Sequence, residues 1–132
     1  MLCTGCVKAP RILLVDDERA VRFGFGEYLR DRGFVVECAQ DLAGAQARLA
    51  STAFDLLITD LRLDRTGATD GLEVVARARP GLPGIRVVVL TACETDQAGE
   101  AYRCGADLFL QKPQPLASVA NLLEALLEGV RP

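Results

Sequence analysis

Three short apolar runs each end in charge, and this pattern constrains the fold more than any other feature of the chain. Ile12–Val15 is closed by Asp16-Asp17, Leu56–Thr59 by Asp60, and Leu108–Leu110 by Gln111 and then Lys112-Pro113. Each run has the length of a buried strand. In an open parallel sheet the carboxyl ends of the strands share one edge, and ligands bind there. The pattern therefore gathers three carboxylates and one ammonium at a single crevice. Crowded carboxylates repel one another unless a hard cation sits among them, and Mg²⁺ suits oxygen ligands. A lysine facing the same spot can receive an anion, most simply a phosphoryl group.

The rest of the chain supplies the crossovers such a sheet needs. Arg11–Val15 reads as the first strand. Glu18–Arg32 follows as a helix, with Val21, Phe25 and Leu29 at helical spacing and Gly33 as its stop. Gly24 and Gly26 lie inside that helix and weaken it by roughly 1 kcal/mol each relative to alanine. Phe34–Cys38 is the second strand, and Asp41 caps a short helix carrying Leu42, Ala45 and Leu49. Phe54–Thr59 is the third strand. The polar stretch Asp64–Asp70 leads to a helix with Leu72, Val75 and Ala76 inward. Pro80-Gly81-Leu82-Pro83-Gly84 breaks the chain before strand four, Ile85–Leu90. A fourth helix, apolar-poor, covers about Thr95–Cys104, and Leu108–Leu110 is strand five. Pro115 suits the first turn of a last helix carrying Leu116, Val119, Leu122, Leu123, Leu126 and Leu127, and ending at Gly129. Strands alternating with helices imply an α/β fold with right-handed crossovers and a parallel sheet.

Composition excludes several function classes. The 132 residues suit one domain, expected over 11–130 after a tail at 1–10, and half are apolar, enough to build a core without disulfides or structural metal. Net charge is −3 with scattered basic residues, so no direct nucleic-acid contact is expected. No apolar run approaches the roughly 18 residues of a membrane span. The first ten residues lack the apolar stretch of a signal peptide, so a cytoplasmic location is expected. Of five cysteines, Cys38, Cys93 and Cys104 read as small buried hydrophobes. Cys3-x-x-Cys6 reads as incidental, because a redox pair of this spacing follows a strand and opens a helix. The chain has no histidine. That removes Ser-His-Asp catalysis, the common zinc hydrolase sites and any role as a histidine phosphocarrier.

The chain resembles the receiver domain of two-component response regulators over nearly its whole length. The resemblance is carried by Asp16-Asp17, Asp60, Thr91 after Val87-Val88-Val89-Leu90, and Lys112-Pro113. Asp70-Gly71-Leu72-Glu73 and Cys104-Gly105-Ala106-Asp107 add to it. It implies a flavodoxin-like (βα)5 doubly wound sheet of strand order 2-1-3-4-5, which puts strands one and three side by side at the switch point. It implies Asp60 as phosphoacceptor, taking a phosphoryl group from the phosphohistidine of a histidine kinase or histidine phosphotransfer protein. Asp17 would bind Mg²⁺ directly and Asp16 mainly through water. Asp60 and the backbone carbonyl of Arg62 would complete the protein ligands. Lys112 would pair with a phosphoryl oxygen, and Thr91 would turn its hydroxyl toward the same group. Phe109 occupies the family's switch aromatic position, and the bond before Pro113 would be cis. The output would be an altered face of helix four, strand five and helix five, read by a downstream protein the sequence does not name.

One departure is the loop after Asp60, which is longer than usual before Asp70 and lacks the frequent Met-Pro. It is similar to receivers attached to hybrid sensor kinases. Plainer readings of single residues stand beside these: helix capping by Asp16-Asp17, a strand-end turn at Asp60, a surface loop at Lys112-Pro113, and a core packing role for Phe109. Two other function classes compete. A haloacid-dehalogenase-like phosphatase needs two acids two residues apart after strand one, and Asp16-Asp17 are adjacent. A nucleotide or flavin binder needs a glycine-rich phosphate cradle after strand one, which is missing. The expectation is thus a signalling module rather than an enzyme. Helix five offers Glu124 and Glu128 with no cation between Lys112 and Arg131, and helix four adds Asp96 and Glu100 against Arg103. Two such faces repel, so a monomer or weak dimer is expected. The chain reaches Pro132 just after the last helix, leaving a stand-alone receiver and part of a larger protein both open.

Overall fold

The computed structural model of the protein describes residues 9–60, 74–76, 84–91, 105–112 and 114–128, and of Thr91 the backbone only. Readings outside the described residues include Cys3 and Cys6, the loop with Arg62, Leu72, the break over 80–83, the helix over 95–104, Cys93 with Cys104, Pro113 and the helix end at Gly129. Five strands, β1 (Arg11–Val15), β2 (Val35–Ala39), β3 (Leu56–Thr59), β4 (Arg86–Thr91) and β5 (Leu108–Gln111), form one sheet. All its ladders are parallel, in the order β2-β1-β3-β4-β5. Helices α1 (Arg19–Asp31), α2 (Leu42–Ser51) and a C-terminal helix (Leu116–Glu128) pack on it.

The strands read as continuous apolar runs because both faces of the sheet are covered. Leu13, Val15, Leu57, Val87 and Val89 pack with Ala45 of α2 and with Val74 and Val75. Ile12, Leu14, Leu56, Ile58, Val88 and Leu90 pack with Phe25 and Leu29 of α1 and with Val119, Ala120 and Leu123 of the C-terminal helix. A fully buried side chain of this kind contributes about 1.5–3 kcal/mol. The two layers bury the central strands on both faces, and Asp16 and Asp60 follow directly on their carboxyl ends.

Several boundaries differ from the sequence reading, each for a local reason. Phe34 belongs to the end of α1 and not to β2. Its N–H donates to Leu29 O at 3.1 Å and that of Gly33 to Arg30 O at 3.0 Å, with Gly33 at φ 100°. This is a Schellman closure, and Phe34 and Leu29 share one core cluster, as the motif favours. Phe54 is buried ahead of β3 rather than within it. Of the residues expected to face inward after the long loop, Val75 is buried, but its partner is Val74 and Ala76 is exposed. Pro115 precedes the C-terminal helix, and its carbonyl accepts the first helical bond from Val119 N at 3.1 Å. Leu116 and Leu122 on that helix stay exposed. Asp41 caps α2 as expected, accepting from Gly44 N at 2.7 Å.

Gly24 and Gly26 are not required by packing. A Cβ on Gly24 would meet nothing within 4 Å, and one on Gly26 would make ordinary contacts to Arg30, Cys38 and Val36. Gly24→Ala is therefore expected to stabilise the protein by about 0.5–1 kcal/mol through helix propensity alone. Urea unfolding checks it, and an unchanged or lowered midpoint would contradict the packing account.

Candidate functional site

The register of the sheet builds the site. Val15 pairs with Thr59 and Thr59 with Val89, so Asp16 and Asp60 follow neighbouring strand ends at the middle of the sheet. The ladders extend one step beyond the strands: Asp60 N donates to Val15 O at 3.0 Å and Asp16 N to Ala39 O at 3.1 Å. Thr91 pairs with Gln111, which sets Lys112 one residue past the end of β5 on the same edge.

Asp16, Asp17 and Asp60 each offer one carboxylate oxygen, all within 4.8 Å of one another. Lys112 Nζ lies 2.8 Å from Asp16 Oδ2 and 3.3 Å from Asp60 Oδ2. Asp16 and Asp60 are buried, whereas Asp17 is exposed. Asp16 is tied on every side. Its Oδ1 accepts from Glu18 N at 2.9 Å, and its main-chain oxygen accepts from Arg22 at 2.7 Å. Asp16 thus closes a turn onto the residue that begins α1, and neither acid of the pair makes a side-chain cap on the helix itself. Glu18, at the N-cap of α1, makes no side-chain cap.

Burial pushes the Asp16 carboxyl above its ordinary value, against the opposing pull of the Lys112 ammonium and the Glu18 amide, while the Asp60 charge adds to the rise. Burial acts on Lys112 in the downward sense, but its hydrogen bond to and charge attraction for Asp16, then Asp60, outweigh it and raise its pKa. Three hard oxygen donors around one point, with the Lys112 ammonium beside two of them, are a donor set suited to a hard divalent ion. They do not suit a soft metal, which prefers sulfur or imidazole.

Phe109 is half-buried and packs against the core layer beneath α2. Cys38 is half-buried rather than buried, and desolvation raises its thiol pKa. Sequence reasoning missed Arg22, whose helical position carries no signal separating it from a solvated arginine. Among the described residues no helix is long and apolar enough to cross a membrane.

Comparison with known proteins agrees with this geometry. A sequence model of the response regulator receiver domain matches residues 12–125. The chain is 43% identical over 111 residues to the alginate biosynthesis transcriptional regulatory protein AlgB of Pseudomonas aeruginosa, covering 83% of this chain and 24% of that protein. It is 36% identical over 118 residues to the transcriptional regulatory protein QseB of Haemophilus influenzae, covering 89% and 52%. It thus spans about half or less of these curated relatives. Among solved structures, a CheY-like receiver domain protein from Methanospirillum hungatei superposes with TM-score 0.86 at 23% identity, over 93% of this chain and 97% of that one. A LuxR-family response regulator from Aurantimonas gives 0.82 at 29% identity, over 92% and 87%. The acidic crevice of Asp16, Asp17 and Asp60 fits the phosphoacceptor site of such domains. The chain belongs to the response regulator receiver domain family of two-component signalling.

Proposed function

We propose that this receiver, spanning 11–130 after a tail at 1–10, accepts a phosphoryl group on Asp60 from the phosphohistidine of a histidine kinase or phosphotransfer protein. The observation that carries the reading is the convergence of Asp16, Asp17, Asp60 and Lys112 from three strand ends. A carboxylate oxygen of Asp60 attacks phosphorus, the P–N bond to the partner's imidazole breaks, and an acyl phosphate forms. Mg²⁺ bound at the acids supplies charge neutralisation for the equatorial oxygens. Asp17, exposed at the rim, ligates directly. Asp16, whose two oxygens are already held by Glu18 and Lys112, acts through water. Asp60 and the Arg62 carbonyl would complete the protein ligands. Lys112 shifts its donors from the acids to the incoming phosphoryl oxygen.

Thr91 and Phe109 act as the switch pair, and the bond before Pro113 would be cis. The switched face then meets a downstream protein, without direct nucleic-acid contact by this domain. The chemistry of the module is limited to self-phosphorylation and slow autodephosphorylation, in the cytoplasm. Its assembly is a monomer or weak dimer. Glu124 is engaged by Arg32 of α1 at 3.3 Å, so of the two acids on the C-terminal helix Glu128 carries the repulsion, with Asp96 and Glu100 outside the described residues. Sedimentation with a phosphoryl mimic checks this, and a tight, salt-sensitive dimer would contradict it.

Beryllofluoride with Mg²⁺ tests the site directly. Together they are expected to raise thermal stability, by about 2.7 kcal/mol at a hundredfold excess over the dissociation constant, and the mimic without Mg²⁺ to do nothing. Asp17→Asn should weaken Mg²⁺ binding at least about tenfold, because ligand charge tunes such sites over decades. Asp41→Asn, whose carboxylate caps α2 by accepting from Gly44 N and is not one of the three clustered acids, should leave it unchanged. Equal loss in both variants would remove the metal assignment.

A further inference from the structure

We infer that Arg22 is a positioning residue for the acid pair, clamping the peptide between Asp16 and Asp17 so that the Asp17 carboxylate stays turned into the crevice. The inference rests on the reading of the crevice as a Mg²⁺ site. Its observation is the 2.7 Å hydrogen bond from Arg22 to the main-chain oxygen of Asp16. That oxygen belongs to the peptide whose nitrogen is Asp17's own, so fixing it fixes the direction in which Asp17 leaves the chain.

The turn needs such an anchor. Asp16 is held through its side chain by Lys112 and Glu18 and through its amide by Ala39. The bond from Glu18 N closes a turn across Asp17, but none of those bonds is made to the peptide that joins Asp16 to Asp17. The turn also has no side-chain cap at Glu18 and no acid in the first turn of α1. Three carboxylates with oxygens within 4.8 Å repel one another, and the exposed one is the one free to swing toward water. Arg22 opposes that swing from half-buried ground on the second turn of α1, whose Phe25 and Leu29 are anchored in the core. A guanidinium on a carbonyl makes a charge-assisted bond, which holds geometry better than a neutral one.

The charge of Arg22 and its hydrogen bond act on metal binding with opposite sign, which makes the role testable. As a cation near the crevice Arg22 repels Mg²⁺, so losing the charge alone would strengthen binding. Losing the clamp weakens it. Residues that orient metal ligands typically cost 10–100-fold in affinity when removed. In titrations of the full chain with Mg²⁺ alone, Arg22→Met, which keeps much of the apolar stem, should lower affinity about tenfold. Arg22→Lys, which keeps a donor of similar reach, should restore most of it. If Arg22→Met fails to fold, Arg22→Gln, too short for the same gap, should show the same drop.

The decisive arm repeats the Met substitution beside Asp17→Asn. Acting through Asp17, the loss of Arg22 should then add little. An undiminished further drop would mean general damage to the fold and would overturn the inference, as would unchanged or tightened Mg²⁺ binding in Arg22→Met. A wild-type chain that binds no Mg²⁺ would instead overturn the site reading, and this inference with it.

Discussion

Asp60→Asn is expected to abolish phosphorylation outright. Wild-type protein treated with Mg²⁺ and acetyl phosphate should gain one phosphoryl group by intact mass, and the variant none. The amide keeps the shape of the side chain and an oxygen that can accept from Lys112, so the fold should persist. What it loses is the carboxylate needed to form an acyl phosphate. Asp16 cannot stand in for it, since both its oxygens are held, by Glu18 N at 2.9 Å and Lys112 Nζ at 2.8 Å. Asp60 meets the same lysine at the longer distance of 3.3 Å, a bond more easily given up to an incoming phosphoryl oxygen. An adduct that survives in Asp60→Asn would relocate the nucleophile.

Lys112→Met should be the costliest substitution for the metal-free fold. The Lys112, Asp16 and Asp60 side chains are 16%, 3% and 10% exposed, so removing the ammonium leaves two buried acids facing each other. Breaking such a pair costs about 3–5 kcal/mol. The pH dependence has a definite sign. Asp16 already titrates above its ordinary 3.8 because of burial, and without Lys112 it should rise further. A carboxyl raised in the folded state gives its stabilising contribution below the unfolded value and loses it as pH climbs through the folded one. The variant should therefore look nearly wild-type in acid and fall behind toward neutrality. In the wild type the lysine's own contribution, with its folded value raised above 10.5, is lost only at still higher pH. Mg²⁺ should recover part of the deficit by replacing the missing positive charge. Urea unfolding across pH, with and without Mg²⁺, measures all three effects. A deficit independent of pH would show that packing, not charge, is what Lys112 supplies.

The parts of the fold that could be read from sequence are those where one residue decides a local structure. Apolar runs mark strands because a doubly covered sheet leaves no polar face. Asp41 marks a helix start through its own side chain, and Gly33 a helix end through its positive φ. The acids at 16, 17 and 60 were legible for the same reason, as charge where an apolar run stops. Reading fails where a third element decides. Phe34 continues the apolar pattern of β2, yet the hydrogen bond that places it belongs to α1. Val74 and Val75 are both buried in one core cluster, whereas the phase assigned from Leu72, Val75 and Ala76 put Ala76 inward in place of Val74. The stronger of the two Lys112 contacts goes to Asp16, not to the expected phosphoacceptor. Strands lie about 4.8 Å apart, so the lysine reaches β1 past the ends of β4 and β3, and how far its stem leans depends on packing. Arg22 is the extreme case: only its contact with a backbone oxygen distinguishes it.

The crossing of β5 to the far side of β4 also orders events during synthesis. Lys112 lies 96 residues beyond Asp16 and 52 beyond Asp60, and all the ladders are parallel, so no neighbouring strands zip up as a hairpin. Such non-local pairing is slow, and chains fold as they leave the ribosome from the N-terminal end. A nascent molecule thus exposes all three acids well before the ammonium that balances them has been made. Until the last strand pairs, the acids lie apart or repel, and nothing receives the anion. On the proposed reading, an acceptor with its balancing lysine therefore forms only once β5 has been made and paired.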